Sequence, residues 1–175
     1  MNSKHMTGIE RSMKPEEIIV TKTDLSGKIT YGNRTFFKFA DYTEAECLGV
    51  QHNLVRHPEM PRSIFYLAWQ TIKAGEELFA YINNRSKNGD FYWVFAHMTP
   101  SFDAGGGITG YHSNRRAPNK TVIKDSILPL YRELLAIERA SGSPKDGMEK
   151  AADHVRAMLD SGRTTFNKYT LSLGA

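Results

Sequence analysis

The most constraining stretch of this sequence is a pair of apolar-rich runs, Leu78 to Ser86 and Phe91 to Ser101, separated only by Lys87-Asn88-Gly89-Asp90. Asn-Gly between two such runs is a strong local signal for a β-hairpin. Side chains alternate across a strand, so Tyr92, Val94, Ala96 and Met98 share one face, while Phe91, Trp93, Phe95 and His97 share the other. Both faces are therefore apolar and both need cover. A third run, Ile108 to Arg115, follows the flexible Gly105-Gly106-Gly107 and extends the sheet.

Upstream, Ile18-Ile19-Val20-Thr21 and Lys28-Ile29-Thr30-Tyr31 flank the turn Asp24-Leu25-Ser26-Gly27 and predict two short strands. Asn33 stands where it can cap a short helix through Phe36, Phe37 and Phe39, and Thr43 with Glu46 makes a capping box for another. After a polar stretch from Gln51 to Glu59, Pro61 opens a longer helix. In it Ile64, Phe65, Ala68, Trp69 and Ile72 recur at spacings of three and four, up to Gly75. This order predicts an α+β domain over residues 17–118, a five-stranded antiparallel sheet with helices on one face.

Residues 1–16 are polar and aperiodic and read as a disordered leader. Residues 119–175 read as a C-terminal helical extension, a hairpin of two amphipathic helices. Ile123, Ile127, Leu130, Leu134 and Ile137 mark one helix, and Met148, Ala152, Val155 and Leu159 the other. The spacing fits packing on the protein's own sheet and a dimer or partner seam equally well.

Composition excludes several classes. Of a net charge of +4, Lys and Arg exceed Asp and Glu by 14 to 12 up to Pro118 and by 9 to 7 beyond it. The excess is spread rather than gathered into a stripe; only Arg115-Arg116 forms a basic doublet, which argues against nucleic acid. The single cysteine, Cys47, leaves no disulfide framework, redox pair or multi-cysteine metal site, and points to a reducing compartment. No run is long and apolar enough to span a membrane, and no nucleophile elbow, HExxH, P-loop or kinase motif is present.

The segment Thr23-Asp24-Leu25-Ser26-Gly27-Lys28-Ile29-Thr30-Tyr31-Gly32-Asn33 resembles the opening of a PAS sensory domain, and the element order is that of PAS domains. The blocks His52 to Pro61, Phe65 and Trp69, Asn84 to Asp90, and Tyr92-Trp93-Val94 resemble the PAS domain of the Aer aerotaxis and energy-taxis transducers. The resemblance implies the PAS fold, non-covalent FAD and a redox or oxygen sensor rather than an enzyme. It also implies a chemoreceptor-type transducer, or a HAMP and methyl-accepting module, as signalling partner. A homodimer, and a cytoplasmic location with membrane association only through a receptor partner, complete the expectation.

Candidate ligand residues follow from that resemblance together with the chemistry of a dinucleotide, which needs cations, a flat apolar slot and amide-type hydrogen bonds. Arg56 and His57 are implied at the anionic or adenosine part, with His52, Asn53 and Glu59 in the same motif; Glu59 stands where the pattern carries Asp. An Arg and a Glu in one loop also pair simply to brace it. Phe65 and Trp69 are implied to line the pocket, Trp69 having core packing as its alternative. Asn84 is implied at the ring's pyrimidine edge, with Tyr92, Val94 and small Ala96 on the inner face. Asn33 is either a ligand contact or a cap, and His112 either a hydrogen-bond partner of the ring or a solvent-facing strand residue. The pattern's tryptophan after the Gly-Glu turn is absent, since Gly75-Glu76-Glu77 leads into Leu78. Two rival readings are a haem-binding PAS gas sensor using His52, His57, His97 or His112, and a cofactor-free PAS interaction module. Cys47 lies upstream of the position that a light-driven flavin adduct requires.

Overall fold

The computed structural model describes residues 5–174. Strands β1 (Ile19–Thr23), β2 (Ile29–Gly32), β3 (Leu78–Arg85), β4 (Phe91–Phe102) and β5 (Ile108–Arg116) form one sheet in the order β2-β1-β5-β4-β3. All neighbouring strands are antiparallel. The β3–β4 hairpin closes through a Ser86–Gly89 turn: Gly89 N–H donates to Ser86 O at 3.1 Å and Ser86 N–H to Asp90 O at 2.8 Å. Gly89 has φ +99°, a conformation that glycine adopts without penalty.

Between β2 and β3 lie helices α1 (Arg34–Ala40) and α2 (Glu44–Cys47), a 3₁₀ turn at His52–Val55, and α3 (Arg62–Lys73). Both expected caps are made, by Asn33 on α1 and by the Thr43/Glu46 box on α2. The inner core, with Ile19, Phe36, Val55, Ile64 and Val94 fully buried, joins these helices to one sheet face.

After β5, α4 (Lys120–Val122) widens into a π-helical turn at Ile123–Ile127 and continues as α5 (Leu128–Ala140), followed by α6 (Pro144–Ser161) and α7 (Phe166–Ser172). Pro129, which has no N–H to donate to a preceding carbonyl, follows the widened turn. The apolar seam folds back on its own chain: Ile123, Ile127 and Leu134 are buried with Val155 and Leu159 of α6. These helices also seal the free edge of β3. Tyr131 Oη donates to Tyr81 O at 2.6 Å, and Asn167 accepts from Phe79 N–H at 2.9 Å while donating to Glu77 O at 2.8 Å. An open edge would otherwise template further strand pairing. On the outer face Trp93 lies 6.1 Å from the Tyr131 ring, and Phe79 stacks on His97 at 4.2 Å.

The leader is a correction to the sequence reading. From Thr7 to Arg11 it runs beside the start of β4, with Thr7 N–H on Gly89 O at 3.0 Å and Arg11 N–H on Phe91 O at 2.7 Å. The physical reason is Asp90, which accepts from Thr7 Oγ1 at 2.7 Å and from Arg11 Nε at 2.9 Å. Such distant polar pairing leaves no periodicity to read. Residues 1–4 of the expected leader lie outside the described residues.

Candidate functional site

A cavity of about 260 Å³ lies between the inner sheet face, α3 and the loop around His52. Strand alternation decides which side chains face it. Ile82 and Asn84 come from β3, Ala96 and Met98 from β4, Tyr111, Ser113 and Arg115 from β5, and Thr21 and Thr23 from β1. Helix α3 contributes Phe65, Ala68, Trp69 and Ile72 from one face, and the loops add Gly27, Gln51, His52, Asn53 and Arg56. Gly27 has φ +82°, and a Cβ there would stand 3.0 Å from the Trp69 ring, so a larger residue would be strained and would press the indole back by a few tenths of an ångström.

At the sheet end Arg115 is 6% exposed. It donates to Thr21 Oγ1 at 2.9 Å and lies 2.8 Å from His52 Nε2, which also lies 3.2 Å from Thr21 Oγ1. A guanidinium has no lone pair to offer, so Nε2 is the acceptor and His52 is neutral, with its proton on Nδ1. Burial and the Arg115 charge hold the His52 pKa down, at about 3, and burial lowers Arg115 to about 10. Among the described residues no Asp or Glu lines the cavity. A buried cation with only neutral partners keeps much of its desolvation cost uncompensated. Ser113 Oγ and Thr23 Oγ1, on two further lining residues, are buried without partners. The sheet end thus presents one fixed positive charge and two unused hydroxyls.

At the loop end Arg56 donates to Met60 O at 2.7 Å, and its guanidinium lies 5.0 Å from the centre of the Phe65 ring. Burial, then Arg62, lowers its pKa, with Glu138 opposing. The Arg56 backbone forms a bridge with Asn84, which is 4% exposed. The alternative brace to Glu59 is not formed among the described residues; Arg56 spends its hydrogen bond on a carbonyl of its own loop. Trp69 meets Tyr111 edge to face at 5.3 Å, giving the slot an aromatic corner.

Of the residues proposed from sequence, the structure brings His52, Asn53, Arg56, Phe65, Trp69, Asn84, Ala96 and His112 together around the cavity. Five others stand elsewhere. Asn33 accepts from Phe36 N–H and Val20 N–H and donates to Ile18 O, so its amide caps α1 and ties it to β1. His57 is buried against Phe91, its Nδ1 accepting from Glu59 N–H at 3.1 Å, while Glu59 itself is exposed. Tyr92 packs on Phe39 and Val94 is fully buried core; neither lines the cavity.

His112 borders the cavity, but its side chain has the other parity. It lies on a lining strand but pairs with Thr99, which alternates with the inward Ala96 and Met98. Its imidazole therefore stands on the outer face, where burial and Lys22 lower its pKa. Thr21, Tyr111, Ser113 and Arg115 were missed as site residues. The Arg115-Arg116 doublet carried the signal, since alternation from an inward Tyr111 turns Ser113 and Arg115 inward too.

A family profile described as the PAS fold, a five-stranded antiparallel sheet with helices packed on one face, matches residues 29–115. Those residues are a PAS domain. The chain is similar to the aerotaxis receptor of Escherichia coli (strain K12), 38% identical over 133 residues, which cover 75% of this chain and 26% of the receptor. It is also similar to the nitrogen fixation regulatory protein of Klebsiella pneumoniae, 26% identical over 57% of this chain and 20% of that protein. This chain thus spans about a quarter or less of the curated relatives it matches. Among solved structures, a light-oxygen-voltage domain studied with a flavin analogue superposes with a TM-score of 0.56 at 17% identity, covering 66% of this chain and 87% of that one. That likeness concerns the fold. No helix among the described residues is long and apolar enough to cross a membrane.

Proposed function

We propose that this PAS domain binds FAD non-covalently in the cavity and reports the flavin's redox state, as an oxygen- or energy-linked sensor, to a chemotaxis-type signalling partner. The observation that carries the reading is Arg115, a buried cation with neutral partners in a cavity lined by no acid among the described residues. It favours an electron-rich, hydrogen-bond-accepting ligand. The similarity to an aerotaxis receptor supports the same direction.

The lining fits the parts of such a ligand. Trp69, Phe65 and small Ala96 bound a flat apolar slot, while Asn84, Ser113 and Thr23 offer polar groups toward ring edges. At about 260 Å³ the cavity falls just below the ~300–1,000 Å³ of usual ligand pockets. It therefore suits a ring system, and Arg56 and Asn53 at the loop end would hold the anionic remainder. When bound, a flavin supplies reversible electron transfer that changes its charge and hydrogen bonding. Arg115 ties β5, β1 and the His52 loop together through Thr21 and His52. A change of charge in the cavity therefore shifts the balance of bonds that joins three elements.

The haem alternative needs a free ring nitrogen facing the cavity. His52 has its Nε2 committed to Arg115, His57 faces Phe91 and His97 stacks on Phe79; His112 borders the cavity with its Nε2 buried and unpartnered, but its pairing with Thr99 gives its side chain the outer-face parity. The buried Cys47 is not among the lining residues either. The test is an absorption spectrum of the purified chain before and after dithionite under nitrogen, with the released cofactor identified by chromatography. Bands near ~450 and ~375 nm that bleach, with FAD released, support the reading. A Soret band near ~400 nm overturns it for haem, and a colourless protein that refuses added FAD leaves an interaction module.

A further inference from the structure

Helix α3 begins without a cap of its own. Pro61 occupies the N-cap position and provides no side-chain acceptor, so the first N–H groups of the helix have no partner from that position. One of them finds a partner 75 residues away: Ser63 N–H donates to Glu138 Oε1 of α5 at 2.9 Å, and Ser63 Oγ donates to the same oxygen at 2.9 Å. The carboxylate supplies both the missing acceptor and the negative charge that a helix N-terminus favours. Glu138 is also fixed from behind. A Cβ on Gly147 of α6 would come within 2.5 Å of Glu138 O, so the two helices cross backbone to backbone at this residue. A second tie joins α6 to α3, where Arg156 donates to Gln70 Oε1 at 2.6 Å. The helix held in this way is the one that carries Phe65 and Trp69 to the cavity.

We propose that Glu138 is a positioning residue of the cavity, capping α3 from outside residues 29–115 so that ligand binding and the packing of the C-terminal helices depend on each other. The inference rests on the flavin reading for the identity of the ligand. Coupling of this kind is reciprocal: whatever α5 does for the affinity of the cavity, a bound ligand does for the stability of α5.

The test uses the full chain freed of flavin, with Glu138→Ala, Glu138→Gln and Ser63→Ala. FAD is titrated into each, and amide hydrogen exchange over α5 and α6 is measured with and without FAD. In the wild-type chain FAD slows exchange in α5. Glu138→Ala binds FAD on the order of tenfold more weakly, the loss of about one charge-assisted hydrogen bond, and its α5 no longer responds to FAD. Glu138→Gln keeps an acceptor oxygen and recovers most of both, which a mere packing defect would not show. Should Glu138→Ala fail to fold, the Ser63→Ala and Glu138→Gln pair carries the test, because strictly additive effects of the two overturn the coupling. Wild-type FAD affinity in Glu138→Ala, with undiminished protection of α5, overturns the capping role alone. No binding of FAD by the wild-type chain overturns the flavin reading and this inference with it, and that result appears before any variant is compared.

Discussion

The two ends of the cavity hold an arginine each, and they hold it differently. Arg115 sits in the middle of the sheet, 6% exposed, between a threonine hydroxyl and a neutral imidazole. Arg56 sits on a loop, tied to a carbonyl of its own segment and leaning on the Phe65 ring. The sheet end is preorganised: strand pairing sets Arg115 and Thr21, and the His52 ring bonded to both is fixed with them before any ligand arrives, at the cost of an uncompensated buried charge. The loop end is adaptable, with its charge partly solvated and its neighbours one helix turn away. A rigid cation suits a ring whose charge changes, and an adaptable one suits a flexible anionic chain.

Removing the sheet cation gives the largest expected effect. Arg115→Met deletes a buried charge and leaves a similar apolar volume, so the chain stays folded with a melting temperature unchanged or raised, as happens when buried charges are replaced by packed apolar groups. FAD affinity falls about 100-fold, the worth of a strong charge-assisted contact. Affinity within threefold of wild type in a titration would remove Arg115 from the ligand site.

The same end makes a pH prediction. The His52 pKa is depressed from 6.5 to about 3 in the folded chain. Above pH 6.5 the imidazole is neutral in both states and contributes nothing; as pH falls below 6.5 the unfolded chain takes up a proton that the folded chain refuses. Stability therefore declines by up to about 1.4 kcal/mol per pH unit, through a window that ends near the folded value. Urea unfolding at pH 7 and pH 5 should show wild type losing about 1–2 kcal/mol more than His52→Gln, which keeps an acceptor for Arg115 but does not titrate. Equal losses in the two proteins would mean that His52 is not held neutral.

This contrast between ends also marks what the sequence made legible. The loop end was readable as a motif, because Arg56, Asn53 and His52 are contiguous in the chain and Phe65 and Trp69 recur with helical period. The inner face of β4 was readable from alternation, and Ala96 and Met98 stand where parity put them. The sheet end required the register between β4 and β5, which depends on how the Gly105-Gly106-Gly107 turn is made. A one-residue slip there exchanges His112 for Tyr111 and Ser113, and so hides Arg115. Contacts between residues far apart in the chain, Arg11 with Asp90 and Ser63 with Glu138, have no local pattern at all.

At the loop end the sharper comparison is between two adjacent residues. Arg56→Ala should weaken FAD about tenfold while leaving the unfolding midpoint nearly unchanged, since the lost bond to Met60 O is partly solvent-exposed. His57→Ala should do the reverse, lowering stability by about 1–3 kcal/mol through the lost Phe91 packing and leaving affinity within a factor of two. Both are read from one set of titrations and one set of urea curves. If His57→Ala loses flavin with its stability intact, the His57 ring turns toward the ligand when the cavity fills, and the loop end is more mobile than its bonds indicate.

Asn33→Ala is the smallest change and serves as the reference for both ends. Its amide oxygen accepts from Phe36 N–H at 2.9 Å and Val20 N–H at 3.1 Å, and its amide nitrogen donates to Ile18 O at 2.8 Å. Loss of an N-cap costs about 1 kcal/mol. Here the residue also links β1 to α1, so the cost should fall in the upper half of the usual ~0.5–2 kcal/mol range. Flavin affinity and reduction potential should not move, because no atom of Asn33 reaches the cavity wall. A shifted potential in this variant would show that the β1–α1 joint is transmitted through Thr21 to Arg115. The sheet end would then respond to strain arriving from its far side, and not only to a ligand entering the cavity.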